Sequence, residues 1–165
     1  MNTNTNNDYI QFSDEVALIT GSTQGLGKSI AKLFVKRGVK SIVITGRDEN
    51  KAKHVLQELE TMGAKAIFIK AELSNYHQCQ KLIKETDKNF GRIDILVNSA
   101  AFTERGTILS TSSELFDKMI SVNVKAPFFL IQGCAKIMRR EKISGSIVSI
   151  SSIVTHGGPH WLAVY

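Results

Sequence analysis

The stretch "VALITGSTQGLGKS" (16–29) carries an apolar, β-branched run straight into three glycines and then into a helical pattern. Gly21, Gly25 and Gly27 make a G-x-x-x-G-x-G turn at that junction. Without side chains the main chain can approach a pyrophosphate closely, and the following helix offers free N–H groups and the positive end of its dipole. Placed after a first strand and opening a first helix, the pattern points to a dinucleotide loop. "GLGKS" imitates the end of an NTPase phosphate loop, but that loop needs glycine where Ser22 stands, and no strand ends in an acid suited to holding magnesium.

Working outward, four more short runs are nearly continuous in apolar character: "SIVIT" (41–45), "AIFIK" (66–70), "DILVN" (94–98) and "SIVSI" (146–150). Such runs suit strands covered on both faces. Helical spacing of apolar residues fills the gaps over 26–37, 51–62, 78–90 and a longer stretch near 112–140, where Thr111 and Glu114 stand at capping-box spacing. Gly38, Gly63, Gly91 and Gly145 mark the returns from helix to strand. Strict alternation of strand and helix predicts a doubly wound α/β fold with a parallel sheet of order 3-2-1-4-5. One domain is expected over 14–165, behind an Asn/Thr-rich disordered lead-in at 1–13 with no signal-peptide pattern.

The 165 residues carry a net charge of +6, but the 21 basic residues are scattered and no basic block alternates with aromatics, which argues against nucleic acid. No apolar run is long enough to span a bilayer, so no membrane role is expected. Cys79 and Cys134 form no metal or redox spacing and read as free thiols of a cytoplasmic protein. His156 and His160 flank Gly157, Gly158 and Pro159, so no helix aligns them, and no metal site is expected.

NAD-selective sites place a carboxylate near the end of the second strand to meet the ribose 2′-OH. Here Gly46 and Arg47 occupy that place, and Arg47 lies twenty residues past Gly27. A guanidinium there can pair with a 2′-phosphate, which favours NADP(H), while Asp48 next door leaves NAD(H) open. Asn123 sits mid-helix against its propensity, four residues before Pro127, which has no N–H for the Asn123 carbonyl. That carbonyl is expected to be free to hold a water.

Together, "TGSTQGLG" (20–27), "LVNSAA" (96–101), "NVKAPF" (123–128) and "GSIVSISS" (145–152) resemble the motifs of the short-chain dehydrogenase/reductase family, in family order and spacing. The resemblance implies an NAD(P)-dependent oxidoreductase acting on a small-molecule carbonyl or alcohol, and a homo-oligomeric parent. It implies that Thr20, Gly21, Ser22, Gln24, Gly25, Leu26 and Gly27 bind the pyrophosphate side of the cofactor, and that Glu72 and Leu73 flank its adenine. Asn98 and Ala100 are implied to line it along the fourth strand, where the family's N-N-A-G reads Asn98-Ser99-Ala100-Ala101. Ser152 and Tyr165, thirteen apart as in the family, are the implied catalytic serine and tyrosine, with Asn123 supporting a water of the proton relay.

The family also places a lysine four residues after its tyrosine, to help a phenol that ordinarily titrates at about 10. By that pattern the chain is expected to be an N-terminal portion ending at the catalytic tyrosine, its lysine past the end, its sheet truncated after the fifth strand and its activity uncertain. The alternative to an oxidoreductase is then a non-catalytic, nucleotide-binding remnant.

Overall fold

The computed structural model describes residues 11–165; residues 1–10, most of the expected lead-in, lie outside the described residues. Five parallel strands alternate with helices: β1 (Val16–Ile19), α1 (Gly25–Lys36), β2 (Ser41–Gly46), α2 (Glu49–Thr61), β3 (Lys65–Lys70), α3 (Tyr76–Phe90), β4 (Ile95–Asn98), α4 (Ser113–Ile120), α5 (Ala126–Glu141) and β5 (Ser146–Ser149). The sheet order is β3-β2-β1-β4-β5, as the alternation predicts.

Each inner strand sends successive side chains to opposite faces, and the two cores follow that alternation. Leu18, Val43 and Leu96 join Leu82, Leu130 and Cys134 beneath α3 and α5. Their neighbours Ile19, Ile42, Ile44 and Val97 join Ala31, Val35, Val55 and Leu59 beneath α1 and α2. Burying each such Leu or Ile contributes about 2 kcal/mol. At the edge, β5 is exposed along its whole length and pairs only with β4 among the described strands.

The stretch near 112–140 is not one uniform α-helix. A π-helical turn, Ser121–Lys125, lies between α4 and α5, with Ala126 N–H donating to the Ser121 carbonyl. It falls immediately before Pro127, whose missing N–H and ring bulk disrupt the regular i→i−4 ladder. The cap also differs: Ser112, not Thr111, accepts the Leu115 N–H at 3.2 Å, because Thr111 Oγ1 turns back to the Thr107 carbonyl at 2.6 Å.

The expectation of a chain cut at a catalytic tyrosine, with its lysine and activity lost beyond the end, is corrected here. Ordered fold runs without a break through α3, β4, α4, the π-turn, α5, β5 and a 3-10 turn at Ile153–His156. The final segment is tied back by hydrogen bonds from Gly106 N–H to the Trp161 carbonyl, 2.8 Å, and from Ala163 N–H to the Gly106 carbonyl, 3.1 Å. A terminal residue in such a continuous, bonded fold is no sign of a lost lysine, and neither truncation at the tyrosine nor loss of activity follows from its position.

Candidate functional site

The strand order reverses at β1, which has β2 on one side and β4 on the other, so the loops leaving β1 and β4 part and open a crevice. A cavity of about 360 Å³ fills it, lined by the glycine loop, the ends of β2 and β3, the loop after β4 and one side of α4.

The loop's shape depends on two of its glycines. A Cβ on Gly27 would stand 2.5 Å from the Gly21 carbonyl oxygen. One on Gly21, at φ +62, would stand 2.8 Å from Ala100 Cα. No side chain caps α1: Gln24 at its N-cap makes no capping hydrogen bond, and its first turn holds no acid. Those N–H groups are left for a ligand anion. An uncapped helix end beneath a glycine cradle fits the pyrophosphate of a dinucleotide.

Gly21, Gln24, Gly25, Leu26, Gly27, Arg47, Glu72, Leu73 and Ala100 all line this cleft. Two expected contacts lie behind it. Thr20 is buried, and its Oγ1 accepts the Ser99 and Ala100 N–H groups, each at 3.0 Å. Ser22, also buried, donates to the Ile19 carbonyl at 2.6 Å and accepts the Thr45 N–H at 3.0 Å. Both fasten the loop to the strands beside it. At the end of β2, Arg47 stands 3.5 Å from Glu72. Burial raises the Glu72 carboxyl, but hydrogen bonds from the Ser74 N–H and hydroxyl, followed by the charge of Arg47, bring it below its usual range. Asp48 is engaged elsewhere, accepting the Asn50 and Lys51 N–H groups as N-cap of α2.

A second cavity, of about 490 Å³, brings Asn98, Asn123, Ser152 and Tyr165 together. Ala100 and Ala101 line both cavities and form the wall they share. Ser152 opens the 3-10 turn, its Oγ accepting the Val154 N–H at 3.4 Å. Asn98 Nδ2 donates to Ser149 Oγ at 3.2 Å, whereas its buried Oδ1 has no hydrogen-bond partner among the described residues. The Asn123 side chain is held on the loop after β4: Oδ1 accepts the Phe102 N–H at 2.8 Å, and Nδ2 donates to the Phe102 carbonyl at 2.7 Å.

Sequence reasoning did not single out Phe102, Lys118 or Val122, which also line the cleft. Phe102 follows directly on the fourth-strand motif and could have been found from it, but Lys118 looks like any other surface lysine of an amphipathic helix. Among the described residues no cluster of His, Cys, Asp and Glu could hold a metal, and no helix is long and apolar enough to cross a membrane.

The family described as short chain dehydrogenase matches residues 15–165. An uncharacterized oxidoreductase of Thermotoga maritima is 38% identical over 143 residues, which are 87% of this chain and 55% of that protein. The L-rhamnose 1-dehydrogenase (NADP(+)) of Thermoplasma acidophilum is 31% identical over 156 residues, 94% of this chain and 61% of its own length. The crystal structure of a metagenomic short-chain oxidoreductase in complex with NADP superposes with a TM-score of 0.87 at 30% identity, covering 93% of this chain and 69% of that one. The chain thus spans 55% and 61% of the length of these two curated relatives. A match running from Glu15 to Tyr165 takes in the glycine loop, both cavities and all five strands, and the chain belongs to the short chain dehydrogenase family.

Proposed function

We propose that residues 14–165 form the dinucleotide-binding domain of an NADP(H)-dependent oxidoreductase, which moves a hydride between nicotinamide and the carbonyl or alcohol carbon of a small molecule. One observation carries the cofactor choice: at the end of β2 the guanidinium of Arg47 lines the cleft, while Asp48, the next residue, caps α2 and does not line it. Asp48 spends its Oδ1 on both cap N–H groups, whereas the Arg47 guanidinium lines the cleft, and a guanidinium suits a 2′-phosphate. The NADP named for the Thermoplasma enzyme and the NADP in the metagenomic structure agree with this reading.

When bound, the nicotinamide supplies or takes up the hydride. The chain's own residues bind, orient and move a proton. Main-chain N–H groups from Gly21 to Gly27 and the first turn of α1 hold the pyrophosphate, and Thr20 and Ser22 keep that loop in shape. Glu72 and Leu73 flank the adenine, and Ala100, in the wall between the cavities, borders the nicotinamide end. Asn98, whose buried Oδ1 has no hydrogen-bond partner among the described residues, lines the second cavity. The Ser152 hydroxyl hydrogen-bonds the substrate oxygen, and the Tyr165 phenol gives that oxygen a proton on reduction and takes it back on oxidation. The Asn123 carbonyl holds a water on this path.

A second copy of the chain is the proposed partner. Phe116, Ile120, Val124 and Phe128 recur every fourth residue along α4, the π-turn and α5, and all four are exposed. Fourth-residue steps drift around an α-helix, and the wider π-turn brings the stripe back into line. A cytoplasmic location accords with the two free cysteines, Cys79 and Cys134, whose thiols burial pushes up to about 11 and about 12.

Fluorescence titration of the chain with NADPH tests the reading. Saturable binding is expected, and a signal that never saturates below the millimolar range would contradict it.

A further inference from the structure

Two of the side chains lining the cofactor cleft are cations, Arg47 and Lys118. They stand on opposite sides of the glycine loop, because Arg47 follows β2 and Lys118 packs on the loop that follows β4. Arg47 faces Glu72 at 3.5 Å, so that pair brings little net charge to the cleft. Lys118 forms no ion pair among the described residues. Its Nζ instead lies over the Phe102 ring, 4.2 Å from the centroid. Glu114, one turn earlier, accepts the Ser113 hydroxyl on its carboxyl at 3.2 Å and forms no ion pair with Lys118.

Lys118 also does little for its own helix. A lysine in a last turn complements the negative end of a helix dipole. Here α4 runs on through the π-turn into α5 and helical structure ends only at Glu141, so no free helix end lies beside Lys118. An ammonium without a carboxylate, held by a π-face at the rim of a cleft shaped for pyrophosphate, is suited to a polyanion.

We propose that Lys118 is a second dinucleotide-binding cation, supplying the net positive charge of the cleft, and that Phe102 and Asn123 position it. The chain of contacts is continuous: the Asn123 amide holds both main-chain groups of Phe102, and the Phe102 ring seats the Lys118 ammonium. The inference rests on the proposed NADP(H) reading, since it needs a dinucleotide in this cleft. It assigns binding to a residue outside the glycine loop and the 2′-phosphate site, and it gives Asn123 a role in cofactor affinity alongside any role in proton transfer.

The test is the dissociation constant of NADPH across a salt series, for the parent chain, Lys118→Met, Lys118→Arg and Phe102→Leu, with melting temperatures alongside. Lys118→Met is expected to weaken binding about three- to tenfold at low salt, with the gap closing at high salt as screening removes the parent's advantage. Lys118→Arg is expected to bind like the parent, and Phe102→Leu to lose part of the same salt-sensitive affinity. If the parent binds NADPH and Lys118→Met binds equally well at low salt, the inference is wrong and the cofactor reading stands. A loss in Lys118→Met that is the same at every salt concentration also overturns the electrostatic role. If the parent binds no dinucleotide, the cofactor reading falls and this inference with it. Should Lys118→Met fold poorly, Lys118→Gln gives the same comparison with a polar side chain.

Discussion

Asn123 grips Phe102 by both of its main-chain groups, accepting its N–H at 2.8 Å and donating to its carbonyl at 2.7 Å. One side-chain amide thus replaces the strand partner that the chain lacks just past β4. It fixes the loop that lines the cofactor cleft on one side and the wall of the second cavity on the other. Asn123→Ala removes both bonds and leaves two partly buried main-chain groups unpaired, so a loss of about 1–3 kcal/mol is expected in denaturant unfolding. A stability equal to that of the parent would show that the grip holds nothing in place.

The glycine loop offers an internal comparison. Gly27→Ala puts a methyl group 2.5 Å from the Gly21 carbonyl, and backbone has to move to admit it. Gly25 sits at φ +55 with nothing within 4 Å of an added Cβ, so Gly25→Ala meets only backbone strain of about 1 kcal/mol. Gly27→Ala is expected to melt below Gly25→Ala, and NADPH titration is expected to show binding weakened in both, because Gly25 itself lines the cleft; unchanged binding in Gly27→Ala would contradict the cradle geometry.

Away from the site, Asp94 joins β4 to the start of β1. Its Oδ2 accepts the buried Val16 N–H at 2.8 Å and Arg92 Nε at 2.9 Å, and its Oδ1 accepts Arg92 Nη2 at 2.6 Å. Asp94→Ala strands the Val16 N–H, and a loss of about 1–3 kcal/mol is expected by thermal or denaturant melting. Arg92, half-exposed, can turn to solvent, so Arg92→Ala is expected to cost less.

A pH test falls on the α1–α2 face, where Lys28 and Lys32 donate to Glu58 at 2.6 and 2.8 Å. These hydrogen bonds, from Lys28 first and Lys32 second, bring its carboxyl down to about 2 from 4.5. The folded value lies below the unfolded one, so the pair adds stability above about pH 4.5 and loses it as pH falls towards 2. Its side chain is 35% exposed, and screening keeps the contribution below about 1 kcal/mol. Glu58→Gln is expected to melt slightly below the parent at neutral pH and together with it near pH 2. An unchanged difference across that range would contradict the pairing.

All five strands, their order and the cofactor crevice were legible in the sequence, because two-face burial writes itself as unbroken apolar runs and glycine marks where backbone must come close. The split of the 112–140 helix was not, since a single proline can end a helix, kink it or sit beside a π-turn, and only the neighbouring packing decides among these. Thr111 and Ser112 are equally good caps on paper; the Thr107 carbonyl captures one and leaves the other. Arg47 was visible as a charge at a strand end, but its approach to Glu72 depends on β2 and β3 finishing side by side. Lys118 carried no local signal, because its importance comes from Phe102, sixteen residues earlier in the chain. The family spacing of Ser152 and Tyr165 was legible, but not the cavity they share with Asn98 and Asn123, which forms only because the segment after β5 folds back and bonds to Gly106.

The most direct test compares NADPH and NADH affinities in the parent chain and in Arg47→Ala. The account predicts that the parent prefers NADPH by at least about tenfold, and that Arg47→Ala loses most of that preference while NADH binding barely changes. Equal affinities in the parent, or a preference that survives Arg47→Ala, would contradict it.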